Sequence, residues 1–337
     1  MSIACLALLA LLSVGSDTDP ALHQSAPPIR QRDPARAVLY QGRGVDLVSA
    51  GKYAVAIDQF RRALAFDPGN VSALVNIGYC LDRLGQFEAA IEELKRAESF
   101  DPNNAMIFVN MGNSLINLKR YEDALEPLNR AIDLDASNQL VRLNLAAAYS
   151  NLDRRDDAIA ELTKAADINP KNPMVFINWA MLLSAAGKEE DAVEKYQRAV
   201  ELDPKNAQLL FTMAVLQSKL GRHKDAAAAI EQALAIDPKN ALLAFNLAVA
   251  LSAAGETERA IEAYDRVIVL DPKNMTAYYN CAALCEKSGN LDGAITRIGA
   301  AAKVEPDNTM LRDILVRLKQ ARDKAQAASL PAQQPTY

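Results

Sequence analysis

The sequence predicts an all-α protein, a superhelical solenoid built from repeated pairs of helices. The phrase DPKN occurs at residues 203–206, 237–240 and 271–274, so each copy follows the previous one by 34 residues. Half of the chain is hydrophobic but only 6% is aromatic, a composition typical of helices that pack closely through small side chains. A fixed period of this length, with two helical stretches in each period, indicates an array of stacked helix pairs.

The Asp-Pro pairs divide most of the chain into eight repeats of 34 residues without an insertion. The repeats are residues 37–70, 71–104, 105–138, 139–172, 173–206, 207–240, 241–274 and 275–308. In the second repeat, ALVNIGYCLDRLG has apolar residues at helical spacing, Gly85 stops that helix, and QFEAAIEELKRAESF starts another. We therefore expect a first helix and a second helix in every repeat.

The phrase DPKN is interpreted as the boundary between repeats. Its proline cannot continue the preceding helix, and Asn206, Asn240 and Asn274 are favourable N-caps for the next one. Pro127 and Ala136 break the pattern, because the first falls inside a predicted second helix and the other replaces the usual closing proline. We expect a kink or a soft joint between the third and fourth repeats.

Four segments flank the array. Residues 1–15 form an apolar leader that matches the hydrophobic region of a secretory signal peptide, although no Lys or Arg precedes it. Residues 16–36 are predicted to be a proline-rich linker, 309–324 a capping helix and 325–337 a disordered tail. A cleaved leader would place the protein in the periplasm or the extracellular space, and otherwise we expect it in the cytoplasm. An uncleaved leader would allow membrane association through that segment only.

Composition and motifs argue against catalysis and against nucleic-acid binding. The net charge is −5 and the charges are well mixed, so the basic surface of a nucleic-acid binder is missing. His23 and His223 have no partner in the sequence that would complete a catalytic or metal site. We expect no enzyme activity, no small-molecule substrate, no metal and no cofactor. Cys80, Cys281 and Cys285 are predicted to be buried free thiols.

Residues at equivalent positions of the repeats resemble the tetratricopeptide repeat (TPR) family. In the second repeat the family pattern W-x₂-L-G-x₂-Y corresponds to Leu74, Ile77, Gly78 and Leu81, and its A-x₃-F…P positions correspond to Ala90, Leu94 and Pro102. The small residue of the second helix is alanine in all eight repeats. The resemblance implies a solenoid whose first helices line a concave groove that binds protein or peptide partners.

One row of the predicted groove consists of asparagine. Its members are Asn76, Asn110, Asn144, Asn178, Asn246 and Asn280, interrupted at Gly42 and Thr212. Asparagine is a poor mid-helix residue, and its amide can both donate to and accept from a peptide backbone. The row resembles the asparagine ladder in the TPR arm of the O-linked N-acetylglucosamine transferases, without their catalytic domain. It predicts backbone binding, with common descent of the repeats or a hydrogen bond between repeats as the alternative.

Apolar residues flank the asparagine row and are predicted to select partner side chains. They are Met106, Val109, Leu143, Met174, Ile177, Phe211, Phe245 and Tyr279, with Leu140 and Leu242 in line with the methionines. The basic residues of the carboxylate clamp in chaperone-binding TPR proteins are absent here, which disfavours an acidic peptide tail. A partner with an apolar face, bound as a strand or an amphipathic helix, fits better. The alternative is that these residues pack between neighbouring first helices.

The sequence as a whole predicts a non-catalytic scaffold or adaptor that binds a partner segment in the groove. Two other roles stay open: a structural subunit that assembles through its ends and convex face, and the accessory arm of an enzyme complex. An oligomer is compatible with each of them. A capping helix with a polar outer face would argue against end-to-end stacking.

Overall fold

The computed structural model describes residues 32–329, and their side chains from 32 to 327. The predicted leader at 1–15, residues 16–31 of the predicted linker and residues 330–337 of the predicted tail lie outside the described residues. All regular secondary structure within 32–329 is α-helical. The helices are α1 (Pro34–Ser49), α2 (Tyr53–Phe66), α3 (Val71–Arg83), α4 (Phe87–Phe100), α5 (Ala105–Asn117), α6 (Tyr121–Leu134), α7 (Gln139–Asn151), α8 (Arg155–Ile168), α9 (Pro173–Ala185), α10 (Glu189–Leu202), α11 (Ala207–Lys219), α12 (His223–Ile236), α13 (Ala241–Ala253), α14 (Thr257–Leu270), α15 (Met275–Lys287), α16 (Leu291–Val304) and α17 (Thr309–Ser329).

Helices α1 to α16 form eight pairs, one for each predicted repeat. The two helices of each pair pack against each other. Contacts divide the chain into two compact bodies, and the boundary lies between Ala136 and Ser137. Among the described helices, α1–α6 form the N-terminal body and α7–α17 the C-terminal body. Inside each body the second helix of one repeat also packs against the first helix of the next.

Asparagine caps the first helices, as the sequence predicts. The side chain of Asn206 accepts a hydrogen bond from the backbone N–H of Leu209 at 3.0 Å, and Asn240 and Asn274 accept from the residue three positions ahead at 3.1 Å. Asp203, which precedes the proline, has non-helical backbone angles and ends α10. The repeated phrase therefore ends one helix pair and caps the next.

The boundary between the two bodies lies where the repeated phrase is lost. Ala136 stands at this boundary in place of the usual proline. Pro127 is buried inside α6, which continues from Tyr121 to Leu134 and is therefore not ended by the proline. The predicted joint thus coincides with the boundary of the bodies rather than with a break in the helix.

Two predicted segment boundaries are wrong by a few residues. Helix α1 begins at Pro34 instead of residue 37, because the Asp33 side chain accepts a hydrogen bond from the Arg36 N–H at 3.1 Å and proline is favoured at the first helical position. Helix α17 extends to Ser329 instead of ending at 324, since residues 325–329 are mostly alanine, the strongest helix former. No helix within 32–329 is both long and apolar enough to cross a membrane.

Candidate functional site

Every asparagine of the predicted row is the sixth residue of its first helix. Asn76 and Asn110 lie on α3 and α5 of the N-terminal body, and the C-terminal body holds Asn144, Asn178, Asn246 and Asn280 on α7, α9, α13 and α15. The helices that carry them are all 13 residues long and begin after an asparagine cap. Equal caps and lengths place these side chains at one position of the repeat within each body.

The side-chain amides of the asparagine row differ in their hydrogen-bond partners. Asn76 and Asn246 each donate to the backbone carbonyl four residues earlier in the same helix, at 2.8 Å. Asn280 donates to the hydroxyl of Tyr264, in the preceding repeat, at 3.1 Å. The Asn178 amide has no hydrogen-bond partner among residues 32–327. Asn280 therefore joins two repeats, while Asn178 has an amide available to a ligand.

Exposure decides which amides a partner can reach. Asn110 is only 7% exposed, so little of its amide is accessible and the prediction that it contacts a partner fails on burial. Asn76 in the N-terminal body is partly exposed. In the C-terminal body Asn144, Asn178, Asn246 and Asn280 are partly exposed as well.

Two further positions share a helix face with each asparagine: the residues four before and three after it. A helix turns by about 100° per residue, so both lie within roughly 60° of the asparagine. We define the first-helix face of the C-terminal body by these three positions on α7, α9, α11, α13 and α15. Its members are Leu140, Asn144, Ala147, Met174, Asn178, Met181, Gln208, Thr212, Val215, Leu242, Asn246, Val249, Thr276, Asn280 and Ala283. None of them is buried, and Leu140 and Leu242 are 54% and 60% exposed.

Some exposed residues at these positions were not predicted as contacts. Val215 and Val249 lie three residues after the asparagine row in the C-terminal body, and Tyr79 occupies the same position in the N-terminal body. The predicted Met174 and Met106, four residues before an asparagine, are also exposed. Counting one helical turn forward from the asparagines, as well as one turn back, would have found all of them.

The apolar residues directly before the asparagines do not lie on this face. Val109 is 2% exposed and belongs to the core, so the prediction that it contacts a partner is wrong. Ile177, Phe211 and Phe245 pack against the main core cluster of the C-terminal body, and Leu143 and Tyr279 pack against smaller clusters. These five residues are partly exposed, like the residues that directly follow them. Val109 therefore fits the alternative of packing between helices, and the other five keep both interpretations.

The C-terminal body ends in a helix whose outer side is polar. Helix α17 has the register of a first helix, and Leu311 and Leu318 bury its inner side. Arg312, Val316 and Lys319 occupy the positions that Tyr278, Ala282 and Cys285 fill as buried residues in α15. Arg312, Val316 and Lys319 are all exposed, and no described helix packs on them. Arg312 and Lys319 give α17 the polar outer positions expected of the predicted capping helix.

The N-terminal body begins with a similarly modified helix. Ala73, Ile77 and Cys80 of α3 are fully buried. The residues 34 positions earlier, on α1, are Leu39, Arg43 and Asp46, and all three are exposed. No helix among residues 32–329 precedes α1. Packing another helix on this side of α1 would bury Arg43 and Asp46, which opposes such packing.

The cysteine thiols of the described structure are shielded from solvent. Cys80, Cys281 and Cys285 are free and buried, as predicted. Burial raises the pKa of the Cys80 thiol to about 11 and that of Cys281 to about 12, so both stay protonated and unreactive near neutral pH. Within residues 32–329 no group of three or more His, Cys, Asp or Glu side chains is placed to hold a metal ion.

Stacked helix pairs with small residues at their contacts and a periodic face on the first helices define a helical repeat scaffold. Family models described as tetratricopeptide repeat match residues 42–105, 74–203, 183–244 and 219–269, and one described as TPR repeat matches residues 250–289. Together they cover residues 42–289 without a gap. The chain belongs to the tetratricopeptide repeat family, whose members bind protein or peptide partners and are typically non-catalytic.

Solved structures share this fold. A tetratricopeptide repeat protein from Parabacteroides merdae ATCC 43184 is 19% identical with a TM-score of 0.52, and the match covers 74% of this chain and 99% of that one. YrrB, a TPR protein with an unusual peptide-binding site, is 23% identical with a TM-score of 0.47 over 56% of this chain and 98% of its own. TTC0263, a thermophilic TPR protein in Thermus thermophilus, is 25% identical with a TM-score of 0.46 over 53% and 98%. No curated protein matches the sequence significantly.

Proposed function

We propose that this protein is a non-catalytic scaffold whose first-helix face binds a segment of a partner protein. The observation that carries the proposal is the row of partly exposed amides, one per first helix, set among exposed apolar side chains. Asn144, Asn178, Asn246 and Asn280 lie at one helix position in the C-terminal body. The Asn178 amide has no partner in residues 32–327, which leaves its donors and its acceptor for a ligand.

The amides and the apolar groups would contribute in different ways. An amide that pairs with a peptide group contributes about 0.5–1.5 kcal/mol net, whatever the partner's side chain is. Leu140, Val215 and Leu242 are at least half exposed, and covering them removes apolar surface from water at roughly 25 cal/mol per Å². The amides therefore fix the partner's backbone, and the apolar side chains supply most of the affinity.

The competing role of a structural subunit has less support. Assembly through the end helices would bury Arg43 and Asp46 on the outer side of α1 and Arg312 and Lys319 on that of α17. Burying such charges without partners costs several kcal/mol. The first-helix face carries no comparable obstacle to binding.

The test compares partners captured by the wild type with those captured by a variant carrying Asn144→Ala, Asn178→Ala and Asn246→Ala. We expect the main partners to fall by at least about tenfold in quantitative mass spectrometry, since three hydrogen bonds are removed. Asn129→Ala is the matched control. Asn129 lies on the second helix α6 and donates to the Leu125 carbonyl at 2.8 Å, the same bond that Asn246 makes.

The control should retain every partner, because it removes an equivalent hydrogen bond away from the face. Both variants should keep the helical circular dichroism of the wild type. An unchanged list of partners for the triple variant would refute the proposed function.

A further inference from the structure

The first-helix face of the C-terminal body contains no charged residue. Its fifteen positions hold asparagine, glutamine, threonine, alanine, valine, leucine and methionine only, while 23% of the whole chain is charged. Exposed positions are where charged side chains normally concentrate. The lack of charge is therefore a property of this surface and not of the chain.

The second helices of the same body provide the contrast. On α10 the exposed residues are Glu190, Asp191, Glu194, Gln197, Arg198 and Glu201, and glutamine is the one uncharged member. The same body therefore carries charged side chains on another exposed helix surface.

Charged side chains are found just beyond the edge of the face. One turn beyond its last position, α11 carries Lys219 and α15 carries Lys287. The Lys219 ammonium contacts the carboxylate of Glu189 at 2.5 Å, so its charge already has a partner in the protein. The neutral surface thus covers the first turns of each first helix and ends before the last turn.

We infer that the occupant of this face is an extended, uncharged segment of another protein, and this inference rests on the function proposed above. A charged side chain pressed against these positions would lose its water and find no opposite charge. Apolar and neutral polar side chains meet no such cost. The partner segment is therefore selected against Asp, Glu, Lys and Arg.

The amide row determines the backbone form of the occupant. A helix uses its backbone N–H groups internally along its length, so its backbone has no free donor for a row of amides. An extended chain presents one donor and one acceptor at every residue. Asn178, with no partner of its own among residues 32–327, can bond to such a chain and not to the side of a helix.

The probe must be long enough to reach several first helices. An extended chain rises about 3.3 Å per residue, so about 12 residues reach roughly 40 Å along the face. Random peptides of about this length, displayed on phage and selected on the immobilised full chain, are the probe. The measurement is the fraction of charged residues in enriched peptides relative to the unselected library.

Two double variants accompany the wild type. The face variant carries Asn178→Arg and Asn246→Arg, and the control carries Gln197→Arg and Gln232→Arg, which add the same charge to exposed positions of the second helices α10 and α12. Arginine is a better helix former than asparagine, so both variants should keep the wild-type circular dichroism.

We expect peptides selected by the wild type and by the control to be depleted in charged residues. The face variant should lose those peptides or select acidic ones instead. One Asp introduced into the middle of a selected peptide should weaken its binding at least about tenfold, because a buried ionic group is left without a partner. One central Pro should be tolerated, as it is in extended chains and not in helices.

Other outcomes separate the inference from the function on which it rests. The inference would be overturned if peptides selected on the wild-type protein were rich in charged residues, or if one central Pro abolished their binding. Either result would leave a binding face in place. Peptides enriched equally on the face variant and on the wild type would overturn both, since the binding site would lie elsewhere. No enrichment over the bare support would also overturn both.

Discussion

The turns between the first and second helices provide a sharp test of the backbone geometry. In six of eight repeats a glycine occupies this turn with φ between 71° and 80°, at Gly51, Gly85, Gly187, Gly221, Gly255 and Gly289. The third and fourth repeats have Lys119 and Asp153 there, with φ of 60° and 59°. The backbone of these two residues is in the left-handed conformation, which favours glycine.

Replacing Lys119 by glycine should therefore stabilise the protein. A left-handed conformation costs an L-residue about 1–2 kcal/mol, and glycine costs about 0.4–1 kcal/mol through the greater freedom of the unfolded chain. The difference is a net gain of about 0.5–1 kcal/mol. Asp153→Gly should gain less, because aspartate tolerates this conformation better and because the exposed ion pair with Arg155 at 2.8 Å is lost.

Gly187→Lys is the matched reverse change. A Cβ built on Gly187 meets nothing within 4 Å, so the expected loss of about 0.5–1 kcal/mol comes from the backbone and not from a clash. Helical circular dichroism during urea unfolding measures each variant. Fluorescence of Trp179, the single tryptophan of the chain, gives a second signal for the C-terminal body.

The reasoning fails if Lys119→Gly lowers stability while Gly187→Lys leaves it unchanged. That pair of results would show that the turn does not hold a left-handed residue in solution. A gain for Lys119→Gly together with a loss for Gly187→Lys is the outcome that the geometry requires.

Four more perturbations follow from the packing. Gly78→Ala should lower the unfolding free energy by about 1–2 kcal/mol in urea titrations, because its Cβ would lie 2.7 Å from a leucine carbon of the paired helix. Arg142→Met should cost about 1–3 kcal/mol, since the Glu161 carboxylate loses its 2.9 Å contact, and adding Glu161→Leu should restore stability. Asn178→Ala should raise stability by up to about 0.7 kcal/mol through helix propensity, and a loss of stability would show a structural role for its amide. Cys281 should resist thiol reagents at pH 8 in the folded protein, because burial raises the pKa of its thiol to about 12. The stability that the protonated thiol contributes is complete below pH 9 and should be lost as the pH rises toward that pKa.

The repeat architecture was predictable because its signals are local. Asparagine caps, helix-ending Asp-Pro pairs and small contact residues act within one repeat, and the period repeats these signals along the chain. The errors arose where the same residues act differently. Asp33 and Pro34 look like the end of a repeat, yet here the aspartate caps α1 and the proline begins it.

The candidate binding face was predictable in part. Spacing located the asparagine row, but it could not show that Asn110 is buried or that Asn280 bonds to Tyr264. Both depend on how neighbouring repeats pack, which the sequence of a single helix does not contain. The apolar row one residue before the asparagines is divided by burial in the same way, since Val109 is in the core and Ile177, Phe211 and Phe245 are partly exposed.

Common descent of the repeats is the simplest competing account of a periodic surface, and the first-helix face allows the two accounts to be weighed. Duplication alone would leave the same residue at equivalent positions, or let it drift toward the charged residues found elsewhere on the surface. Four residues before the asparagine row, the C-terminal body has Leu140, Met174, Gln208, Leu242 and Thr276, so these positions have diverged. They have diverged without acquiring a single charge, although each is exposed. A neutral partner would constrain these positions to stay uncharged while they diverge, so this pattern supports the proposed occupant over simple inheritance.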